Sequence, residues 1–216
     1  MVAVRWHPPV DVPADPPPAL GAARHRSRSA LERLLLAPAD EAAWDDLAMV
    51  YDQQAADWDE WAAAQPTYLA PVAAGLARVG PAAWAVEVAC GSGQATPLLA
   101  AAADRVVATD VSLAMVRDAP PLPRTSYAVA DVRRLPFATG SVPLLLALNA
   151  VPHAAEFDRV LSPGGRLLWC SSFGPETPLY VSPERFLTML GPPWRADAGR
   201  AGHGEWLLLS RGSSGG

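Results

Sequence analysis

The sequence contains no lysine, because all 17 basic residues among its 216 positions are arginine. This absence excludes chemistry that depends on a lysine amine, such as Schiff-base catalysis, pyridoxal attachment and a Walker-type phosphate loop. Cysteine is almost as scarce, with only Cys90 and Cys170. Two cysteines form neither a disulfide framework nor a cysteine-rich metal site, so we predict reduced thiols, no metal centre and a cytoplasmic location.

Long apolar runs and clustered positive charge are also missing. Pro, Gly, Arg or Asp interrupts each apolar stretch before it reaches the length of a membrane span, and no secretion signal follows Met1. The net charge is −5, whereas proteins that bind nucleic acid usually present a basic face. The local basic cluster at residues 24–28 is typical of a solvated segment. We therefore predict neither a membrane span nor a nucleic-acid partner.

What the sequence does contain is a glycine turn between a strand and a helix. The apolar run Val86–Val88 leads into Gly91-Ser92-Gly93, and an Ala/Leu-rich helical pattern follows over residues 97–103. This order is typical of the first unit of a doubly wound nucleotide-binding sheet. Glycine allows the backbone to pass close to a ligand where a Cβ atom would collide.

Two later carboxylates strengthen this interpretation. Asp110 ends a second apolar run about 20 residues after the glycine turn, where an acid can accept hydrogen bonds from ribose hydroxyls. Ser112 then has the character of a helix N-cap. Asp131 follows a third strand-like run, where it could accept from an exocyclic amine such as that of adenine, and the adjacent Val132 could lie against the purine face. Each acid could instead serve only a helix start or a turn.

Four motifs in this order resemble those of the class I S-adenosylmethionine-dependent methyltransferases, with the small-molecule ubiquinone/menaquinone-type branch as the nearest likeness. The motifs are Glu87-Val-Ala-Cys-Gly-Ser-Gly93, Thr109-Asp-Val-Ser-Leu-Ala-Met115, the segment Asp131–Val142 and the segment Arg159–Leu168. Upstream, Tyr51–Trp58 is similar to the family's lid helix. The resemblance covers roughly residues 45–210. It implies S-adenosyl-L-methionine as the cofactor and a small molecule as the methyl acceptor.

The resemblance also assigns cofactor contacts to particular positions. Glu87 with the nearby turn backbone would hold the amino-acid end, Asp110 the ribose, and Asp131 with Val132 the base. The full predicted set is Tyr51, Glu87, Ala89, Gly91, Gly93, Asp110, Val111, Met115, Asp131, Val132 and Asn149. Glu87 could alternatively cap nearby backbone, and plain packing explains Tyr51 equally well.

The acceptor side is less sharply defined. Asn149 and His153 follow the fourth strand, at the rim where the family often has an Asn or similar residue and then a His. His153 could act as a general base for a hydroxyl or amine acceptor, although a solvated loop histidine is the simpler interpretation. Trp58, Trp61 and Trp194 could line an aromatic acceptor pocket, or could be ordinary core residues.

Three departures from the family pattern bear on function. Val142-Pro143 replaces the usual Phe-Asp before the fourth strand, so an expected acid is missing. The short segment between Asn149 and Arg159 predicts a helix shortened by about two turns. Thr96 stands where a dinucleotide fingerprint has its third glycine. The first two departures concern acceptor binding, and none of them removes the cofactor site.

The pattern predicts an α/β fold with a Rossmann-like, doubly wound, mostly parallel seven-stranded sheet. We expect a C-terminal antiparallel hairpin strand and N-terminal lid helices. Residues 1–39 form a Pro-rich arm, extended or disordered, and a short helix over Ser29–Ala37. Residues 40–216 form the methyltransferase domain, with a long amphipathic helix beginning after Asp40. A later helix should begin after Ser182 and end at the segment 191–193.

The leading functional prediction is a methyltransferase that acts on a small apolar or aromatic metabolite. One alternative is a non-catalytic partner protein that binds the cofactor or only keeps the fold, and the predicted short helix and the missing acid before the fourth strand favour it. Another is a dinucleotide-dependent oxidoreductase, which shares the strand, glycine turn and helix but needs neither Glu87 nor Asp131. The sequence leaves a homodimer open, together with the identity of the acceptor.

Overall fold

The computed structural model describes residues 3–19, 25–191 and 194–211. The strands are β1 (Val4–Trp6), β2 (Ala85–Val88), β3 (Val106–Asp110), β4 (Thr125–Val129), β5 (Val142–Leu148), β6 (Leu161–Ser171), β7 (Trp194–Ala201) and β8 (Gly204–Arg211). They form one eight-stranded sheet with the order β4-β3-β2-β5-β6-β8-β7-β1. The helices are α1 (Arg26–Leu36), α2 (Glu41–Ala63), α3 (Ala70–Leu76), α4 (Thr96–Ala102), α5 (Leu113–Asp118), α6 (Ala154–Val160) and α7 (Pro183–Leu190), with a 3₁₀ turn at Gly174–Glu176.

The sheet confirms the predicted doubly wound topology. Strands β4, β3, β2, β5 and β6 are parallel, and β8 pairs antiparallel with both β6 and β7. The strand order reverses at β2, which lies between β3 and β5. In folds of this kind ligands bind at such a switch point, beyond the carboxyl ends of the strands.

The sheet has one strand more than the seven predicted, because part of the Pro-rich arm joins it. Residues 4–6 pair in parallel with β7, and the side chain of His7 bonds Asp197 over 2.7 Å. The outer edge of β7 offers unpaired backbone groups that a short extended segment can satisfy. Pro8 and Pro9 lack an N–H group, so the continuous strand has three residues, and pairing resumes at Val10 in an isolated bridge with Ala201.

The core packs on both faces of the central strands. Leu144, Leu145 and Leu146 in β5 are each fully buried, as expected for a parallel strand covered on both sides. Leu145 belongs to the cluster on one face, while Leu144 and Leu146 belong to the cluster on the other. This two-sided packing fixes the carboxyl ends of β2, β3 and β5, which carry the predicted site.

Helix α2 confirms the long helix expected after Asp40, whose carboxylate accepts from the backbone N–H of Ala43 at 3.1 Å. The helix lies against the loops beyond β2 and β3. The hydroxyl of Ser92 donates to Asp59, and the hydroxyl of Ser112 donates to Asp52. Because Asp52 and Asp59 are two turns apart, they lie on the same face of α2 and hold it over the carboxyl edge of the sheet.

Several element boundaries differ from expectation by a few residues. Helix α1 begins at Arg26 rather than Ser29, because the ring of His25 accepts from the backbone N–H of Ser27 at 3.2 Å and caps the helix. Strand β6 begins at Leu161 rather than Arg166, because Leu161 already pairs with Val142 before an irregularity in the register. Residue 24 of the basic cluster and the helix-ending prolines at 192–193 lie outside the described residues. Within the described ranges, no helix is long and apolar enough to span a membrane.

Candidate cofactor site

A first cavity lies at the switch point, between α2 and the carboxyl ends of β2, β3 and β5. It holds about 1170 Å³ of space, part of it open to solvent. Its walls include every predicted cofactor residue except Gly93: Tyr51, Glu87, Ala89, Gly91, Asp110, Val111, Met115, Asp131, Val132 and Asn149. The structure therefore brings together residues that are up to about a hundred positions apart in the chain.

Asp110 is fixed by two backbone amides. Its Oδ2 accepts from the N–H of Gly91 at 2.8 Å, and its Oδ1 accepts from the N–H of Ser112 at 2.9 Å. A carboxylate has about four acceptor positions, so two remain for a ligand. Burial raises the pKa of Asp110, while the bonds from Ser112 and Gly91 counteract part of that rise. The carboxylate is thus held rigidly at the end of β3, in the cavity wall.

Glu87 is a buried carboxyl group with a single hydroxyl partner. It is 1% exposed, and its Oε2 accepts from Oγ1 of Thr96 at 2.7 Å. Burial, with a smaller contribution from the charge of Asp110, raises the pKa of Glu87 to about 8. Thr96, which replaces the third glycine of the dinucleotide fingerprint, therefore has a definite role as the donor to Glu87.

The turn after β2 requires left-handed backbone at several positions. Ala89 has φ 52°, Gly91 has φ 55° and Gly93 has φ 85°. A Cβ atom on Gly93 would lie within 3.3 Å of Thr96, Tyr127 and Pro120. Gly93 thus permits the left-handed backbone and close packing of the turn. It does not line the cavity, although a cofactor contact was predicted for it.

Asp131 has a strong partner that the sequence did not reveal. Arg133 donates to both of its carboxylate oxygens, with Nη2 to Oδ2 at 2.6 Å and Nε to Oδ1 at 3.0 Å. The same guanidinium bonds Glu41 at 2.6 Å and lies 5.2 Å from the ring centre of Trp44. Burial opposes ionisation of Asp131, but Arg133 outweighs it and holds the pKa of the carboxyl below its usual value. Any ligand that bonds Asp131 must share it with Arg133.

Asn149 lines the cavity, but its side chain is already engaged. Its amide nitrogen donates to the hydroxyls of Ser172 at 2.9 Å and Tyr68 at 3.1 Å, and its amide oxygen accepts from the N–H of Ser172 at 2.8 Å. The residue has φ 52°, a left-handed conformation that Asn tolerates better than most residues. Asn149 therefore ties the end of β5 to the end of β6, with Tyr68 as an additional wall residue that sequence reasoning missed.

A second cavity lies beside the first and shares three wall residues with it: Tyr51, Trp58 and Asn149. The rings of Tyr51 and Trp58 meet edge to face, with centroids 6.0 Å apart. Trp61 also lines the second cavity, so the prediction of an aromatic pocket from Trp58 and Trp61 agrees with their position. Trp194, in contrast, is 3% exposed within the core below α7 and lines neither cavity.

His153 gains no support as a general base from its position. It precedes α6, and neither cavity includes it among its wall residues. Its Nδ1 is buried without a hydrogen-bond partner. Burial lowers the pKa of His153 below its usual value, against the opposing charges of Glu156 and Asp131. The helix that follows, α6, has 7 residues, which agrees with the predicted shortening.

No group of three or more His, Cys, Asp or Glu side chains suited to a metal ion occurs in the part of the chain that the structure describes. Cys90 and Cys170 are both buried, and burial raises the pKa of each thiol. Both thiols are therefore poor nucleophiles at neutral pH.

Comparison with known proteins agrees with this geometry. Residues 86–169 match a family model described as a methyltransferase domain. The match begins in β2, ends in β6 and contains the glycine turn, Asp110 and Asp131. It confirms the resemblance inferred from the motifs over that part of the chain. No curated protein matches the sequence.

Solved methyltransferase structures share the fold. A chain from the complex of the Haloferax volcanii Trm112 methyltransferase activator with a candidate methyltransferase aligns with a TM-score of 0.60 at 17% identity, covering 74% of this chain and 96% of that one. The DhpI–SAH complex aligns with a TM-score of 0.60 at 19% identity, covering 78% of this chain and 96% of the DhpI chain. A SAM-dependent methyltransferase from Aquifex aeolicus aligns with a TM-score of 0.58 at 16% identity, covering 74% of this chain and 97% of that one. At these identities the likeness establishes a common Rossmann-like methyltransferase fold.

Proposed function

We propose that this protein transfers the methyl group of S-adenosylmethionine to a small apolar or aromatic molecule. The observation that carries the proposal is Asp110, held by two backbone amides in the wall of a cavity that the matched methyltransferase domain forms together with α2. A carboxylate with two open acceptor positions at the end of β3 suits a ribose diol. The DhpI structure, which contains SAH, supports the same choice of cofactor by analogy of fold.

The residues present fit the proposed cofactor along its length. Glu87 and the backbone of the turn after β2 offer oxygen acceptors to an ammonium group, whose positive charge would favour the ionised form of Glu87. Asp110 occupies the middle of the cavity wall, and Asp131 with Val132 lies beyond it toward Trp44. When bound, the cofactor supplies an electrophilic methyl group on a sulfonium.

The chain's own contribution is to bind, orient and exclude water. Helix α2 covers the first cavity through Asp52 and Asp59, and its apolar wall residues limit the access of solvent. Methyl transfer needs the acceptor atom in line with the methyl–sulfur bond, so orientation accounts for much of the acceleration. The junction of the two cavities at Tyr51, Trp58 and Asn149 is where an acceptor would meet the cofactor.

Calorimetric titration with S-adenosylhomocysteine and with NAD tests the cofactor assignment. We expect one S-adenosylhomocysteine per chain, a rise in melting temperature on binding, and neither effect with NAD. The opposite pattern would favour the dinucleotide-dependent oxidoreductase and would overturn the proposal. Transfer of a radiolabelled methyl group to a panel of phenols, amines and quinones then tests for catalysis.

A non-catalytic partner protein is the second candidate, and the short α6 favours it. The Haloferax volcanii neighbour comes from a complex that contains a methyltransferase activator, and this pairing of a similar fold with a protein partner is compatible with the second candidate. This candidate predicts S-adenosylhomocysteine binding without transfer to any acceptor by the isolated chain. Transfer by the isolated chain would exclude it.

A further inference from the structure

The second cavity has the size and the position of an acceptor site. It holds about 950 Å³ of space, part of it open to solvent, between α2 and the loop that follows β6. Phe173, Thr177 and Pro178 form the loop side. Because Tyr51, Trp58 and Asn149 belong to both cavities, a molecule bound here contacts the first cavity directly.

One side of this cavity is an aromatic wall. Trp58 and Trp61 lie with ring centroids 5.2 Å apart at an interplanar angle of 38°. Trp61 meets Phe173 edge to face at 6.3 Å, and Phe173 is 2% exposed. The rings are thus fixed against one another and present flat apolar surfaces. Such walls favour a planar ring as the ligand.

The charges around the cavity are negative. Asp57 is the one acidic residue among the described wall residues of this cavity, and no arginine belongs to them. The ring of His25 accepts from the Ser27 amide at Nδ1, and burial lowers the pKa of this histidine, which favours its neutral form. A cation near aromatic faces and a carboxylate is stabilised, whereas an anionic ligand finds no positively charged side chain among the described wall residues.

Helix α2 has the same bias, whereas α1 contains Arg26 and Arg28 beside His25, and the Arg28 guanidinium already donates to the backbone oxygens of Thr177 and Tyr180. Helix α2 contains Glu41, Asp45, Asp46, Asp52, Asp57, Asp59 and Glu60, and it has no basic residue. Arg133 is the one basic residue in the wall of the first cavity, and it is already bonded to Asp131 and Glu41. An acceptor that carried a carboxylate or phosphate would therefore face several acids and no free cation in the described walls.

None of the three side chains at the junction of the cavities can act as a general base, and Asp57, the one carboxylate in the described wall of the second cavity, is exposed. Burial raises the pKa of Tyr51 to about 12. The Asn149 side chain is bonded to Tyr68 and Ser172, and the indole of Trp58 is only a donor. A hydroxyl acceptor must lose its proton before or during attack, but a neutral nitrogen already has a free lone pair.

We propose that the second cavity binds a planar nitrogen heterocycle or arylamine without an acidic group, and that its neutral nitrogen receives the methyl group. This inference rests on the proposed function. The nitrogen lone pair forms the new N–CH₃ bond, and the electron pair of the broken C–S bond stays on sulfur, which becomes a neutral thioether. A heterocycle keeps the resulting positive charge, while an arylamine releases a proton to water. Asp57 and the aromatic rings stabilise that charge.

Three probes with the same bicyclic shape test the inference: isoquinoline, 2-naphthol and 2-naphthoate. Their affinities are measured by titration of the full chain saturated with S-adenosylhomocysteine. With S-adenosylmethionine, mass spectrometry then follows formation of N-methylisoquinolinium. We expect isoquinoline to bind roughly tenfold or more tightly than 2-naphthoate and to be methylated, whereas 2-naphthol binds without methylation.

Single-residue variants test whether isoquinoline binds in the second cavity. Trp61→Ala should weaken isoquinoline roughly tenfold while leaving S-adenosylhomocysteine affinity unchanged. Asp57→Asn should lower the affinity for the N-methylisoquinolinium product more than the affinity for neutral isoquinoline. Trp6→Ala on the exposed edge strand and Asp104→Asn, which precedes β3 and is exposed, are matched controls that should change neither affinity.

The outcomes separate this inference from the proposed function. If S-adenosylhomocysteine itself fails to bind, the proposed function is wrong. If it binds but isoquinoline does not, or 2-naphthoate binds as well as isoquinoline, the inference about the acceptor is overturned alone. Unchanged isoquinoline affinity in Trp61→Ala, or methylation of 2-naphthol at the rate of isoquinoline, overturns it as well.

Discussion

The backbone N–H of Gly91 donates to Oδ2 of Asp110 at 2.8 Å and thereby joins the turn after β2 to the end of β3. The two residues belong to different motifs of the sequence, and this bond makes them one structural unit. It positions the carboxylate in the cavity wall and fixes the turn whose backbone borders the same cavity. The strongest prediction about ligand binding follows from this pair.

We expect Asp110→Ala to lower the affinity for S-adenosylhomocysteine more than Asp131→Ala does. Asp110 can accept two ribose hydroxyl bonds, and bonds to a charged acceptor contribute about 1.5–3 kcal/mol each. Asp131 is shared with Arg133 and can accept one amine bond, which water partly replaces. Calorimetric titration gives both affinities.

The exposed Asp118 at the end of α5 supplies the control, since Asp118→Ala should leave the affinity unchanged. Asp110→Ala also removes the partner of two backbone amides, so its thermal unfolding must be measured alongside. A folded Asp110→Ala protein that binds as tightly as Asp131→Ala would contradict the ribose assignment.

Glu87 should make folding stability depend on pH. Its pKa rises from 4.5 to about 8 in the folded protein because of burial. Between these values the folded state binds a proton that the unfolded state has lost, so stability falls as pH rises through this window. Glu87→Gln keeps an uncharged acceptor for Thr96. The variant should therefore gain stability relative to the wild type between pH 5 and about 8.

Urea unfolding at several pH values measures this difference. Glu184→Gln, at an exposed position in the first turn of α7, is the matched control and should follow the wild type at every pH. A constant difference between Glu87→Gln and the wild type from pH 5 to 8 would show that Glu87 is already ionised in the folded protein.

The parts of the fold that the sequence predicts are those in which local pattern and tertiary structure agree. The apolar runs before Gly91 and Asp110 are short and end at turn signals, which favours buried strands, and parallel strands bring their carboxyl ends to one edge. That rule, together with the resemblance to the methyltransferase family, predicted that Glu87, Asp110 and Asp131 lie around one site. The short α6 could be predicted because the interval between Asn149 and Arg159 leaves no room for more.

The parts that it does not predict depend on partners far apart in the chain. Nothing near Val4–Trp6 indicates that β7 has a free edge about 190 residues later. The bond from Thr96 to Glu87 and the commitment of Asn149 to Ser172 likewise need three-dimensional proximity. Arg133 lies only two residues from Asp131, but a side chain this flexible could equally have turned to solvent. The orientation of the Arg133 side chain can be assigned only once the fold brings Glu41 and Trp44 beside it.

We expect His153→Ala to leave methyl transfer nearly unchanged. A general base contributes about 10²–10⁴-fold, but His153 lies at the start of α6 and outside both cavity walls. Once an acceptor is known, single-turnover rates of the wild type and of His153→Ala across pH measure any contribution of His153 to methyl transfer. A loss of 100-fold or more, with unchanged S-adenosylhomocysteine affinity, would restore His153 to the role that the sequence suggested.

The two carboxylates that hold α2 over the first cavity should control how fast the ligand leaves. The Asp59 carboxylate accepts from Ser92 Oγ and from Gln94 Nε2, the latter at 2.7 Å, and Asp52 accepts from Ser112 Oγ. Each lost bond should cost about 1 kcal/mol, which corresponds to several-fold faster opening of the helix. Stopped-flow tryptophan fluorescence should therefore show faster S-adenosylhomocysteine dissociation in Asp59→Ala.

The double variant Asp52→Ala/Asp59→Ala should accelerate dissociation further, because both contacts hold the same face of one helix. Glu60→Ala is the matched control, since Glu60 is exposed on the same helix and should leave the rate unchanged. Ser112 also caps α5 through the N–H of Met115 at 3.2 Å, so Ser92→Ala is a cleaner reciprocal test than Ser112→Ala. If the double variant releases the ligand at the wild-type rate, α2 does not need to move for release, and the ligand leaves through the open side of the cavity.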